Sequence, residues 1–488
     1  MSVHYLDSVN GDDNNDGLSE FFPFKTPSKA NALNLTGSDQ VLSKAGSTFT
    51  TPFFISFRNA TTVPFILGKY GEGPDPVIDL NDRFNANAVG INIYTCGAAR
   101  IQDFNIKRCG FGIQQSMDPI ATVMGGFEVY DCEVSECGGD LIRAGLGATA
   151  SVGGSYKIGR INGHDANNDG IAFFGALGFE VFSSRFERIA VGTGNDPINA
   201  TSGDAITSHD VASGYNFHHI IVKDAHEGFH CVNEGTGSVN LIHEVYVSQV
   251  QGAPIRIEAV GANVGTWRIF NSVLLADDIH ADGISCIHVG DSGSGNIFDL
   301  SVYNCYLRQK KSGKYGLLFI SRNQASAAGA VRFRNNAFVM SAGAKAVSYD
   351  NPHATLGGLT TKVATKNTYH RPTDLATAFH WDGTDTDFAG WKTASGIDAD
   401  SQAADPLVIA DPVTEVADAK PTAASPLLGF GDNLTGLGVS GLSLDYDGRQ
   451  RAASGAWDAG PFNRRSETHV YLAAQRMIEV GRRKPPVK

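Results

Sequence analysis

Acidic residues recur at one position of a repeated three-residue phrase: Asp140-Leu141-Ile142, Asp169-Gly170-Ile171, Asp204-Ala205-Ile206, Glu227-Gly228-Phe229 and Asp282-Gly283-Ile284. Ala253-Pro254-Ile255 carries the phrase without the acid, and Tyr315-Gly316-Leu317 ends the run. If each phrase opens a short parallel strand whose apolar third residue points inward, the acids stack in a column. Neighbouring rungs lie about 4.8 Å apart, and carboxylates at that spacing repel by roughly 3–4 kcal/mol at an effective dielectric near 20. Such a column needs compensation. Either each acid caps its own turn through local backbone N–H groups, or the carboxyls share a proton or a cation. Carboxyls one rung apart approach the roughly 5–5.5 Å of a retaining glycoside cleavage, and two rungs apart the roughly 6.5–9.5 Å of an inverting one.

Side chains alternate along a strand, so the residue three after each acidic position should point outward: Arg143, Ala172, Thr207, His230, Arg256 and Ser285. Two further on come His209, after Thr207, and Glu258, after Arg256. His209, His230, Arg256 and Glu258 are therefore expected on one face beside Asp204 and Glu227. An imidazole to take a proton and a guanidinium to neutralise a neighbouring carboxylate suit elimination from a uronate. Two carboxyls drawn from Asp169, Asp204 and Glu227 suit hydrolysis. The catalytic candidates are thus Asp169, Asp204, Glu227, His209 and His230, and the substrate-binding candidates Arg143, Arg256, Glu258 and Asp282. The plain alternative makes each histidine a surface or stacking residue.

No cofactor is called for. Asp12–Gly17 and Asp165–Gly170 both read D-x-N-x-D-G, which leaves Ca²⁺ as an option, but the twelfth position of an EF-hand loop would need Glu where these have Pro23 and Ala176. His and Cys show no zinc-ligand spacing, and the phosphate-cradling and serine-elbow motifs are missing.

The elements that position these residues are short strands. Alternating apolar runs begin at Phe127, Tyr156, Phe179, Tyr215, Val239, Trp267, Ile297 and Val331, separated by 29, 23, 36, 24, 28, 30 and 34 residues. No long amphipathic helix interrupts them, which argues against a βαβ sheet, and the spacing is short and uneven for propeller blades. The pattern predicts an all-β solenoid, a right-handed parallel β-helix: an N-terminal cap and first coils over 1–87, the body over 88–350, closing coils over 351–463, and a basic tail over 464–488 with room for one short helix. In the Asp204 coil the acid comes 25 residues after the strand start, against 12 to 15 elsewhere. The surplus, residues 191–202, is expected to overhang the column as a groove wall.

Composition narrows the function. A formal net charge of -12 argues against non-specific nucleic-acid binding, which needs a basic face, but leaves room for an acidic polysaccharide met by a local basic cluster. No stretch is long and apolar enough to insert in a membrane and the start carries no signal-peptide pattern, so synthesis in the cytoplasm is expected. Seven scattered cysteines without a CxxC pair read as reduced, buried small hydrophobes.

VHYLDSVNGDDNNDG at the start, PFKTPSKA and FILGKYGEGPDPVID after it, and ADPLV (404–408), ASPLLGFG (424–431), LDYDGRQR (444–451) and WDAGPF (457–462) near the end resemble the opening and closing segments of pectate-lyase-like right-handed β-helix proteins. The resemblance covers nearly the whole chain. It implies a strand, an Asn/Asp/Gly loop and a short helix capping the first coil. NNDGIAF (167–173) looks like the first acidic motif of polygalacturonase-like hydrolases, but the paired Asp that should follow is a single Asp204 in SGDAITSHD, and Gly-His-Gly is missing. Two functions follow: a polysaccharide depolymerase, lyase or glycoside hydrolase, of free or virion-associated kind; or a non-catalytic carbohydrate-binding or structural part of a phage tail or surface fibre, released by lysis. Tailspike relatives imply a homotrimer, with the C-terminal tail as an attachment segment.

Overall fold

The computed structural model describes residues 1–57, 63–95, 97–117, 126–146, 156–174, 178–190, 203–209, 214–233, 239–259, 265–276, 285–291, 298–320, 329–350, 359–381 and 383–464. The expected overhang (191–202), Asp282, Cys96 and nearly all of the basic tail lie outside them. The chain forms two compact units, Met1–Asn216 with Asp224–His226, and Phe217–Lys223 with Glu227–Lys488. Both are built of parallel β-helix coils, as the spacing predicts. Two short helices, Pro27–Asn31 and Phe388–Ser395, interrupt the strands. Among the described residues no helix is long and apolar enough to cross a membrane.

In the first unit each coil gives two strands to one wall and a third to a second wall. Phe127–Tyr130, Glu133–Ser135 and Ile142–Leu146 make one coil, and each pairs in parallel with its counterpart in the next coil. Between the two strands of the first wall the chain turns through one left-handed residue: Asp103, Asp131, Arg160 and Ser183, with φ from 53° to 62°. A single left-handed residue redirects the chain sharply without a loop, so the coils remain short. Alternate side chains then fill the interior, with Phe127, Val129, Ile142, Tyr156, Ile158 and Ile171 all fully buried. The N-terminal cap has the expected parts: strand Val3–Leu6, a polar loop, and helix Pro27–Asn31, whose Asn31 accepts the Phe54 N–H at 2.9 Å. In the Asp12–Gly17 string Asp12, Asp13 and Asp16 accept the backbone N–H groups of Asn14, Lys25 and Leu18 at 2.9–3.0 Å. In the other string Asp165 is gripped at both oxygens by Arg188. Aspartates of both strings are thus engaged within the chain.

The second unit repeats the plan, with corners at His219, Glu244, Asn271, Asn304, Asn335 and Lys366. Three of these are asparagines, which tolerate the left-handed conformation, and their amides form a ladder: Asn335 donates to Asn304 at 3.0 Å and Asn304 to Asn271 at 3.3 Å. Residues 405–463 fold back over the outside of the first wall. Val413, Ala419, Leu427, Ala459 and Phe462 pack on Val273, Leu275, Tyr306, Ala337 and Val339. Strands Val273–Ala276, Tyr306–Gln309 and Ala337–Met340 are consequently buried at every residue, and each large side chain so covered contributes about 1.5–3 kcal/mol. Six cysteines, Cys109, Cys132, Cys137, Cys231, Cys286 and Cys305, are buried and form no disulfide.

Where this closing segment meets the wall lies a histidine cluster. His243 stacks between His218 and Phe270, with centroids at 5.1 and 4.6 Å. Buried Glu244 takes His243 Nδ1 at 2.9 Å and His219 Nε2 at 3.4 Å, and its charge acts in turn on Tyr446 and Arg451. Burial lowers the His219 pKa below 6.5. Burial would raise the Glu244 carboxyl, but the bond from His243 and the neighbouring imidazoles outweigh it and bring it below 4.5. In both cases the unfolded chain takes up the proton at higher pH, so acid favours unfolding. The thermal midpoint is expected to hold at neutral pH and above, fall as the pH drops below about 6.5, and fall again below about 4.5. A midpoint that rises between about pH 7 and 5.5 contradicts this.

Candidate functional site

In each unit the candidate residues lie on the second wall, and the two units place them differently. In the first unit the acids do stack, but they are engaged with backbone. Asp140 accepts the N–H of Asp169 at 3.1 Å, and Asp169 that of Asp204 at 2.8 Å. Each acid thus caps the turn of the following coil rather than its own, and these buried groups (1–5 % exposed) are compensated by hydrogen bonds. Arg143, expected to hold substrate, is drawn back onto Asp140 and lies over the Phe111 ring at 3.7 Å. His226, which sequence reasoning passed over, meets Asp204 at 3.3 Å. His209 ends the strand Ile206–His209 opposite Phe174, and its side chain lies outside the described residues.

In the second unit four expected residues come together. Strands Phe229–Asn233, Ile255–Ala259 and Ser285–Asp291 pair in parallel. Cys231, Ile257 and Val289 point inward and are buried, so His230, Arg256 and Glu258 point outward by alternation. Glu227 lies at the start of its strand with its side chain 1 % exposed. Arg256 reaches Glu227 with Nη1 at 3.3 Å and Glu258 with Nη2. His230 faces the same two carboxylates, Nδ1 at 3.7 Å from Glu227 and Nε2 at 3.7 Å from Glu258. The result is a ring in which two carboxylates, Glu227 and Glu258, alternate with a guanidinium and an imidazole, Arg256 and His230, all but Glu227 partly exposed.

Electrostatics fixes the state of two members. The His230 interaction, with Arg256 in support and against desolvation, holds the Glu258 carboxyl at about 2. Glu258 is therefore a permanent anion and no proton donor; its place is to orient the imidazole and guanidinium. Burial would lower the Arg256 pKa, but Glu227 and Glu258 raise it overall, so the positive charge persists at any working pH. Such a face offers a fixed cation, an imidazole and a carboxylate to a ligand approaching from solvent.

The register corrects one expectation. Arg256 pairs with His288, not with Ser285, and Ser285 is fully buried. Ser285 occupies the position that Glu227 holds two rungs earlier, two residues before an inward apolar residue. The inward apolar residue of this coil is Ile287, three residues later than the phrase implies, so Ser285 holds the column position expected of Asp282, which is outside the described residues. His288 instead continues the outward line His230–Arg256, a placement that the IHV pattern (287–289), with two buried flanks, would have disclosed had the strand been started later.

Gly252 is a positioning residue for this face. A Cβ at Gly252 would lie 2.8 Å from both Cγ and Oε1 of Glu227, closer than such atoms tolerate. Gly252→Ala is expected to push Glu227 off Arg256 and to lower any turnover at this face by about tenfold or more, since misplacement by an ångström costs up to about 10²-fold. Unchanged kinetics in a folded variant would remove Gly252 from the account.

No protein-family model and no curated protein matches the chain. Solved structures do. The complex of XylC with xylose aligns over 95 % of this chain and 98 % of its own with a TM-score of 0.56 at 10 % identity. Pectate lyase Pel9A aligns over 95 % and 96 % with a TM-score of 0.48 at 18 % identity. A rhamnogalacturonan lyase aligns over 87 % and 96 % with a TM-score of 0.36 at 12 % identity. The fold these likenesses share is the parallel β-helix, and in this chain the second wall of the second unit carries the Glu227–Arg256–Glu258–His230 ring.

Proposed function

We propose that the chain cleaves an acidic polysaccharide by β-elimination on the second unit's outward face. The observation that carries this reading is the meeting of Arg256, His230 and the buried Glu227 within one ring, with Glu258 fixed as an anion behind them. Arg256 binds the uronate carboxylate and withdraws charge from C5. His230 takes the C5 proton, the C4–O bond breaks, the C4–C5 double bond forms, and the departing glycosidic oxygen takes a proton from solvent. Glu227 and Glu258 hold the two basic groups in place. Hydrolysis by paired acids has less support, because Asp140 and Asp169 are tied to backbone N–H groups and Glu258, held ionised, cannot serve as the general acid that hydrolysis also needs.

That same tying of the acid column favours one other reading, a glycan-binding part of a larger assembly, attached through its C-terminal tail and trimeric like a virion tailspike. Incubation with uronate polysaccharides separates them: unsaturated ends appear for a lyase, reducing ends alone for a hydrolase, and retention without either for a binder.

A further inference from the structure

We infer that the first unit carries a separate binding subsite for a neutral pyranose residue, formed by Phe54 and Tyr94 with Asn92, Gln114 and Ser116. The inference extends the reading of the chain as a glycan-acting protein and rests on it for the ligand class. Strands Phe53–Phe57, Val89–Thr95 and Phe111–Met117 lie side by side. Their inward residues Phe53, Ile55, Ile91, Ile93 and Ile113 are fully buried. Their outward residues form two rows by register, Phe54–Asn92–Gln114 and Ser56–Tyr94–Ser116.

Phe54 is 48 % exposed, and its ring lies nearly parallel to that of Tyr94, with centroids 6.5 Å apart and planes 20° apart. Together they make an apolar platform beside the polar outward residues of the same three strands. Beside it Gln114 Nε2 donates to Ser116 Oγ at 2.7 Å, and Ser116 Oγ to Asn92 Oδ1 at 3.4 Å. This chain of bonds orients the amides and leaves Asn92 Nδ2 as a donor and Gln114 Oε1 as an acceptor, neither with a protein partner among the described residues. The Asn31 side chain fixes the platform from the cap by accepting the Phe54 N–H.

A flat apolar surface flanked by one oriented donor and one acceptor complements a pyranose, which presents C–H bonds on its face and hydroxyls at its rim. None of the six outward positions is charged, and the nearest cation in the next rung, Arg143, is engaged with Asp140. The subsite is therefore matched to a neutral sugar and not to a uronate. The substrate it implies is a heteropolysaccharide in which neutral residues accompany acidic ones.

The test is saturation-transfer NMR on the full chain with xylo-, gluco- and galacto-oligosaccharides, comparing wild type with Phe54→Ala, Tyr94→Ala and Phe54→Tyr. Wild type is expected to bind at least one series, each alanine variant to bind it about tenfold more weakly, and Phe54→Tyr to retain it, with thermal midpoints showing that all variants are folded. Absence of binding by wild type, or equal binding by folded alanine variants, overturns the inference. So does a wild-type dimer in sedimentation that Phe54→Ala converts to monomer, since the platform would then be an interface between copies. Uronate cleavage is measured separately on the same proteins: its absence alongside Phe54-dependent sugar binding defeats only the proposed elimination, whereas its presence without such binding defeats only the subsite.

Discussion

His230→Ala is expected to lower turnover of an acidic polysaccharide by about 10²–10⁴-fold, the range for loss of a positioned general base. KM should change much less, because Arg256 still provides the cation that binds the uronate. Arg256→Ala removes charge stabilisation and should reduce turnover by about 10²–10³-fold while also weakening binding. Arg256→Lys is not a conservative replacement, since one guanidinium now contacts both Glu227 and Glu258 and an ammonium lacks that fork. The decisive pattern is the split: His230→Ala acting on kcat, Arg256→Ala on both constants. If both variants retain wild-type turnover, the ring is not where the reaction happens.

Asp398→Ala is expected to destabilise the second unit by about 3–5 kcal/mol, the scale for stranding several buried hydrogen-bond donors. Asp398 is 1 % exposed. It accepts from Asn367 Nδ2 at 3.0 Å, Tyr369 Oη at 2.6 Å and Trp391 Nε1 at 2.9 Å, and from Ser401 Oγ. Through these it joins the last coil to helix Phe388–Ser395, whose Trp391 packs on Phe379 and Trp381. Asp398→Asn keeps one acceptor and should lose less. Chemical denaturation measures the difference directly, and a midpoint within error of wild type for the alanine variant would contradict the assigned role.

Much of this architecture was legible because parallel coils repeat. The runs starting at Phe127, Tyr156 and Phe179 are first-wall strands at those very residues, and the phrase with an inward third residue found the second wall. From that register Glu227, His230, Arg256 and Glu258 fall on one face, which needs only the two-residue period of a strand. Where the spacing changes the pattern misleads: a three-residue shift in one coil puts Ser285 inward and His288 outward. Corners were also hidden, since Glu244 and His219 adopt left-handed backbone without the Gly or Asn that would announce it. Partners across rungs were invisible for a related reason. Asp140 caps Asp169 because stacking brings the next coil within reach, and residue types alone do not say whether an Asp serves its own turn or its neighbour's. The closing segment has no period at all, so its cover over Val273, Tyr306 and Ala337 and the histidine cluster at its edge came only from the fold.

The charged ring as a site of elimination is the central claim. It is tested most directly by adding the purified chain to a panel of uronate-containing polysaccharides and following the ultraviolet absorbance of the conjugated double bond together with reducing ends. Absorbance and reducing ends rising in step on at least one substrate, and lost in folded His230→Ala, is the predicted result. Reducing ends without absorbance, or absorbance undiminished in His230→Ala, would contradict it.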